Sequence, residues 1–303
     1  MKTGAPPSPD RFKETDAMIA PMIRKGPGGH VDFHMHSTLS DGQLTVRDLI
    51  DYCVKLGLSA ISVTDHDNID AYEEGRDHAR EAGIDYIPGV EISSSWNGHD
   101  VHILGYLYEP THLRLNRTLV TLREKRRTRA QLIVSRLAAQ GIELNYEKIA
   151  ARTHGGSIGR AHIASAMVEE EYVPSFQEAF TRYLGNGNAF MDGIESEKLS
   201  PAAAIGLIRE AGGVAVLAHP GRTNQDDLIA SMVDQGLQGI ETYCHSHNPT
   251  THRRYRELAK RFGLFCSGGA DFHAPRGDDR YAPGSLKIPG EVLTALYDSK
   301  DRA

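Results

Sequence analysis

The feature that most constrains the fold is a unit repeated along the chain: a short apolar run that stops at a histidine or a carboxylate. Val31 to His34 is the first such run, with His36 two residues on and Asp41 in the turn behind it. Ser59 to Thr64 stops at Asp65-His66-Asp67, and Ile84 to Val90 stops at Glu91. Val101 to Leu107 carries His102 near its start, after an Asn97-Gly98 pair that predicts a hairpin turn. Gly213 to Ala218 meets His219, Gly239 to Tyr243 contains Glu241 and leads to His245 and His247, and Leu264 to Ser267 leads to Asp271 and His273. Helical stretches separate most of these runs. Strands alternating with helices predict a mainly parallel sheet, open or closed into a barrel. In such folds active sites form at the carboxyl ends of the strands, and five or six strands ending in ligand-type residues are a strong signal of one.

Helix punctuation supports this alternation. Thr45 with Asp48 three residues on predicts a capped start, a helix runs through Tyr72 to Ala82, and Ser200-Pro201 suits an N-cap and first helical position. The alternation breaks over 111–195, which reads as helical throughout and is expected to be an insertion lying over one end of the sheet. Residues 30–110 and 196–303 then form the catalytic α/β unit. Residues 1–29, rich in proline, glycine and charge, predict a flexible leader.

With 303 residues and 40% hydrophobic content the chain can bury a substantial core. Its net charge of −6 gives no general attraction to nucleic acid, so a phosphate-bearing substrate would need a local feature. Three cysteines form no CxxC pair, no apolar run reaches membrane-spanning length, and the N-terminus has no signal-peptide core. A cytoplasmic protein with no membrane association and no stable protein partner is expected. The unusual total is 15 histidines.

The strand-end set is imidazole and carboxylate without thiolate, a donor set for Zn²⁺, Mn²⁺ or Fe²⁺. His34 and His36, two apart on an extended strand, point the same way and can share an ion. The candidates outnumber what one ion accepts, so two or three divalent ions are expected, manganese first among them. Asp32, Asp65 and Asp67 stand beside ligands and are expected to accept the far N–H of a ligating imidazole, with loop capping an equal reading for Asp67. The basic run 123–129 reads equally as a solvated helix face or as a phosphate contact, Arg123 and Arg127 being its candidates. Gly155-Gly156-Ser157-Ile158-Gly159 spells a nucleophile elbow, but that motif needs a strand before it, and helix and loop are expected there.

The arrangement resembles the PHP family, named for polymerase and histidinol phosphatase. The resemblance rests on Asp32-Phe33-His34-Met35-His36, Asp65-His66, Glu91, His102, His219 and Asp271-Phe272-His273, and spans nearly all of 30–290. It implies a distorted seven-stranded β/α barrel with an inserted helical subdomain and a cleft for two or three metals. Carried over, it assigns His34, His36, Glu91 and Asp271 to one ion, Asp41, His66 and His273 to a second, and Glu91, His102 and His219 to a third. Family members often have histidine where Asp41 stands; aspartate there suits manganese or iron.

A subgroup acting on nucleotides, 3′,5′-nucleoside bisphosphate phosphatases and 5′-to-3′ exoribonucleases on short RNA, is resembled through Ser157-Ile158-Gly159-Arg160-Ala161-His162, Glu178-Ala179-Phe180, Tyr183-Leu184-Gly185 and Ser246-His247. Ala161 replaces a common proline and Ala274 a common glycine; both departures bear on the substrate pocket. The resemblance implies hydrolysis of nucleotide phosphate esters by a metal-bridged hydroxide, with Asp41 and Glu91 at its metals. Arg160 and His162 would contact phosphate. His247 would contact phosphate or protonate the leaving oxygen, against a structural role in a turn. A histidinol-phosphate-type monoesterase and a non-catalytic PHP domain are the rival readings.

Overall fold

The computed structural model describes residues 29–194, 198–275 and 279–302. Apart from Gly29, the expected leader lies outside the described residues. Nine strands are present among them: β1 (His30–Asp32), β2 (Leu58–Ile61), β3 (Asp85–Tyr86), β4 (Gly89–Trp96), β5 (His99–Tyr106), β6 (Val214–Leu217), β7 (Gly239–Tyr243), β8 (Phe265–Gly268) and β9 (Ile288–Pro289). They form a four-stranded sheet in the order β3-β2-β1-β9 and a five-stranded sheet in the order β4-β5-β6-β7-β8. The architecture is mixed α/β.

The sheets are less parallel than the alternation predicts. β4–β5, β5–β6 and β1–β9 are antiparallel, while β1–β2–β3 and β6–β7–β8 are parallel. The expected strand over 84–90 is two strands in different sheets. Pro88, which has no N–H to give a ladder, separates β3 on β2 from β4 on β5. Asn97 and Gly98, both at positive φ (48° and 79°), turn β4 into β5 as their sequence predicts.

Eleven α-helices complete the described chain. Those flanking the sheets are α1 (Val46–Lys55), α2 (Asp70–Ala82), α7 (Pro201–Glu210), α8 (Pro220–Thr223), α9 (Leu228–Asp234), α10 (Pro249–Phe262) and α11 (Glu291–Asp301). Between β5 and β6 lie α3 (Leu113–Ala138), α4 (Tyr146–Ala151), α5 (Arg160–Glu169) and α6 (Phe176–Ala179). These last four share a buried cluster of their own, from Ala130 and Ile133 to Phe190 and Ile194. The expected caps are present. The Thr45 hydroxyl accepts the Asp48 N–H and donates to the Asp48 carboxylate, and the Ser200 hydroxyl accepts the Ala203 N–H.

The two sheets meet over a common interior of Val31, Phe33 and Ala60 from one and Leu104, Tyr106, Val214 and Val216 from the other. The Tyr106 hydroxyl donates to the Phe33 carbonyl at 2.7 Å across this interior. β1 stops at Asp32, two residues short of the expected end, because its partner changes there. Beyond it, Phe33 N–H donates to Gly268 O, His36 N–H to Phe272 O and Asp271 N–H to His34 O. Isolated parallel bridges join Met35 to Phe272 and His66 to Glu91. Gly269 permits the first of these joins, since a Cβ there would lie 2.3 Å from the His34 backbone nitrogen. The segment bearing His34 and His36 is thus held between the continuations of β2 and β8.

Candidate active site: a histidine–carboxylate cluster beside a basic cavity

Strand pleating carries the ligands to one rim. Along β5, Asp100, His102, Leu104 and Tyr106 share a face; Leu104 and Tyr106 lie in the common interior, and His102 and Asp100 emerge above it. Glu91 enters from β4 and is 1% exposed. Five imidazoles surround its carboxylate. His34 Nε2, His36 Nε2 and His66 Nδ1 stand 3.2, 3.3 and 3.2 Å from Oε2, while His102 Nδ1 and His219 Nε2 stand 2.7 and 2.9 Å from Oε1. Asp271 Oδ1 lies 3.4 Å from His34 Nε2 and 3.2 Å from His36 Nε2. Asp41 faces His273 Nε2 at 3.4 Å and His66 Nε2 at 3.8 Å.

These atoms form three overlapping groups, each with ligand atoms within 4.8 Å of one another: His34, His36, Glu91, Asp271; His36, Asp41, His66, His273; and His66, Glu91, His102. Eight of the nine sequence-named candidates lie in these groups, which are linked through His36, His66 and Glu91. His219 joins through Glu91.

The electrostatics match a site built for cations. Burial alone would raise the carboxyl pKa values of Glu91, Asp271 and Asp41, but the surrounding imidazoles hold all three well below the usual carboxylate range. Burial opposes charge on His34 too, yet Glu241 and Glu91 raise its pKa well above normal; for His36, Asp271 and Glu91 overcome burial and raise it to about 10. His66 is pushed down to about 3, burial outweighing its carboxylate neighbours, and so stays a neutral imidazole with a lone pair to give. Its Nδ1 is buried with no hydrogen-bond partner among the described residues, although Glu91 Oε2 is 3.2 Å away. A lone-pair nitrogen facing a carboxylate oxygen off hydrogen-bond geometry is what a shared cation reconciles. The residues fit bound divalent metal, with oxygen and nitrogen donors only.

Behind the ligands the supporting bonds differ from those expected. The buried carboxylate behind His34 is Glu241, which accepts its Nδ1–H at 3.1 Å and the His219 backbone N–H at 2.7 Å. Asp32 instead gathers the backbone N–H groups of His34, Ala270 and Gly284, and burial raises its pKa to about 6. Asp65 accepts the Ser37 N–H and both the Ser37 and Ser40 hydroxyls, and the Ser40 oxygen is 3.4 Å from His36 Nδ1. Asp67 accepts the Ser93 N–H and Arg126 Nε–H. Asp32 and Asp65 are thus held by backbone and hydroxyl donors and Asp67 by a backbone N–H and the Arg126 guanidinium, and none of these bonds comes from an imidazole. His219 and Asp271 sit at positive φ (27° and 52°), sparsely populated conformations that turn their side chains into the cluster. Arg222, not singled out by sequence, lies 2.6 Å from Asp271 Oδ2.

Beside the cluster lies a cavity of about 150 Å³ that takes Asp41, His66 and His102 as part of its wall. Lys125, Arg126, Arg129, Arg160 and Lys198 line it, with Asp67 and Asp100. Arg160 donates to Leu184 O and Asn186 Oδ1 and lies 3.4 Å from Asp100, which also pairs with Lys198. Arg129 Nε is buried without a hydrogen-bond partner among the described residues, and burial with nearby Arg160 lowers the guanidinium pKa to about 10. Arg123 and Arg127, the sequence candidates in this run, turn elsewhere: Arg123 donates to Asp67 O, and Arg127 to Glu124 and Gly155 O. His162 caps α5, its Nδ1 accepting the Gly159 N–H. His247 has both nitrogens engaged by backbone, Nδ1–H donating to Thr242 O and Nε2 accepting the Gly221 N–H, and its ring stacks on Tyr255. Ser157 follows α4 and a turn, not a strand, and its hydroxyl is buried.

Overlapping histidine–carboxylate groups at the strand ends of a mixed α/β fold form a candidate metal-dependent hydrolase centre. The chain belongs to the PHP domain family, whose model matches residues 32–186. It is 33% identical over 251 residues to the 5′-3′ exoribonuclease Rnm of Escherichia coli K12, covering 80% of this chain and 85% of that one. It is 34% identical over 252 residues to the 3′,5′-nucleoside bisphosphate phosphatase of Chromobacterium violaceum, covering 81% and 88%. A Bifidobacterium adolescentis structure assigned as a metal-dependent phosphoesterase superposes with a TM-score of 0.81 at 26% identity, over 91% of this chain and 98% of that one. The enzyme class is phosphoric ester hydrolase. Among the described residues no helix is long and apolar enough to cross a membrane.

Proposed function

We propose that the protein hydrolyses nucleotide phosphate esters, acting as a 3′,5′-nucleoside bisphosphate phosphatase, as a 5′-to-3′ exoribonuclease on short RNA, or as both. The observation that carries this is the basic cavity. Five cations crowd one wall of the metal-ligating cluster against Asp67 and Asp100, and Arg129 carries its charge beside Arg160 at a cost. A phosphate bound there relieves that crowding while a second phosphate of the same molecule reaches the cluster.

His34, His36, Glu91 and Asp271 would hold one ion, Asp41, His66 and His273 a second, and His102 and His219 with Glu91 a third. Manganese is the first choice for this imidazole–carboxylate set. When bound, such ions supply a water of lowered pKa and neutralise charge on the phosphate. The chain's own part is orientation: Glu241 fixes the His34 tautomer, and Arg126, Arg129, Arg160 and Lys198 hold the non-reacting phosphate. Residues 111–195 act as a cap over the sheet, and the seven strands β1, β2 and β4–β8 act as a distorted barrel that carries the ligands. His247 keeps a turn in place. The cysteines, free in the structure, suit a cytoplasmic setting.

The test is to quantify bound metal and compare hydrolysis of adenosine 3′,5′-bisphosphate, short 5′-phosphorylated RNA and histidinol phosphate. Several ions per chain with turnover of either nucleotide substrate is expected. Preference for histidinol phosphate overturns the nucleotide assignment; a metal-poor protein inert on all three overturns the function.

A further inference from the structure

We propose that a second cavity, opening onto different ligands of the cluster, seats the nucleotide that follows the scissile phosphate in an oligoribonucleotide. The proposal rests on the nucleotide-phosphoesterase reading above and extends it to the part of a phosphodiester that a phosphomonoester lacks. The cavity, of about 230 Å³, is bordered by Asp271 and His273 on the cluster side and by Arg222, His245, Ser246 and Tyr281. Among the described residues it shares no lining residue with the basic cavity, which meets the cluster through Asp41, His66 and His102.

The two cavities differ in chemistry. The basic one has five cations. In the second, the arginine among the described lining residues lies 2.6 Å from the Asp271 carboxylate and pairs with it. This cavity offers rings. The His245 and Tyr281 centroids are 5.0 Å apart with planes at 57°, so neither ring covers the face of the other. His245 is anchored through Nε2 at 3.0 Å from the Ser285 hydroxyl oxygen, and Tyr281 is 42% exposed. An aromatic face beside a phosphate-processing centre is a stacking platform for a base of any sequence. A phosphate at the cluster has one ester arm reaching the basic cavity; in a diester the other arm leads to the next nucleoside. The geometry gives that arm the aromatic cavity.

The experiment compares adenosine 3′,5′-bisphosphate with the 5′-phosphorylated dinucleotide pApA, for wild type, Tyr281→Ala and Tyr281→Phe, each metal-loaded. The readout is the ratio of kcat/KM on pApA to kcat/KM on the bisphosphate, which a general loss of folding or metal leaves unmoved. Tyr281→Ala is expected to lower this ratio about tenfold, the size of one lost base stack, through KM for pApA. Tyr281→Phe is expected to restore it. A ratio unchanged in Tyr281→Ala overturns the proposal, as does a wild type that cleaves the bisphosphate but not pApA; both leave the phosphatase reading standing. A wild type that cleaves neither overturns both.

Discussion

Glu241 shows what one buried side chain contributes without being a ligand. Its two oxygens serve two clients, the far nitrogen of His34 and the backbone N–H of His219. Glu241→Gln leaves one acceptor for two donors. Losing such a supporting group typically costs about 10–100-fold in metal affinity or activity, so that weakening is expected, with the far-ultraviolet circular dichroism preserved; metal titration checks it. The strand-end position of Glu241 was visible in the sequence, but its role depends on which side of the imidazole it lies, which only packing decides. The nine metal-binding candidates were legible because coordination demands a few residue types at strand ends. The basic run was not. Arg123 and Arg127 look the same as Arg126 and Arg129 in a stretch where nearly every residue is charged. The helix phase is set by apolar Leu122, Ala130 and Ile133, which share the cavity-facing side with Arg126 and Arg129. Arg129→Gln should raise KM roughly 10–100-fold for adenosine 3′,5′-bisphosphate, from losing a charged hydrogen bond of about 1.5–3 kcal/mol. A nucleoside 3′-monophosphate should be far less affected, and steady-state kinetics on the pair checks this.

At the scale of elements, hairpin and helix signals read true because they are local: Asn97-Gly98, Thr45 with Asp48, and Ser200-Pro201 each act over four residues. Strand direction is not local. β4 and β5 alternate like the parallel strands, and only their short connection betrays that they run antiparallel. Pro88 was the visible clue to the break between β3 and β4. The join between β1 and β8 depends on a glycine that no periodicity marks. Gly269→Ala would drive a Cβ into the His34 backbone. Overpacking of this kind costs about 1–3 kcal/mol, expected as a lower urea midpoint, together with reduced metal content because Asp271 moves with the strand end.

Over the whole molecule, the cluster concentrates carboxylates whose charge cations or protons balance. His34 and His36 hold protons against Glu91, Asp271 and Glu241 when no cation does so. Bound metal stabilises the folded state by mass action, about 2.7 kcal/mol at a free concentration a hundred times Kd. Chelation should therefore lower Tm by several degrees and added Mn²⁺ should restore it; calorimetry with and without chelator checks this. An unchanged Tm would mean that the ligands are held as firmly by the fold alone.

The closure of His36 against Asp271, 235 residues later, also has a consequence for the protein's birth. Chains emerge from the ribosome at about 5–20 residues per second, so roughly 10–50 s separate synthesis of the first ligands from that of the last. Throughout that interval the nascent chain lacks Asp271 and His273, so the two ligand groups that contain them cannot close until the segment after β8 has been made.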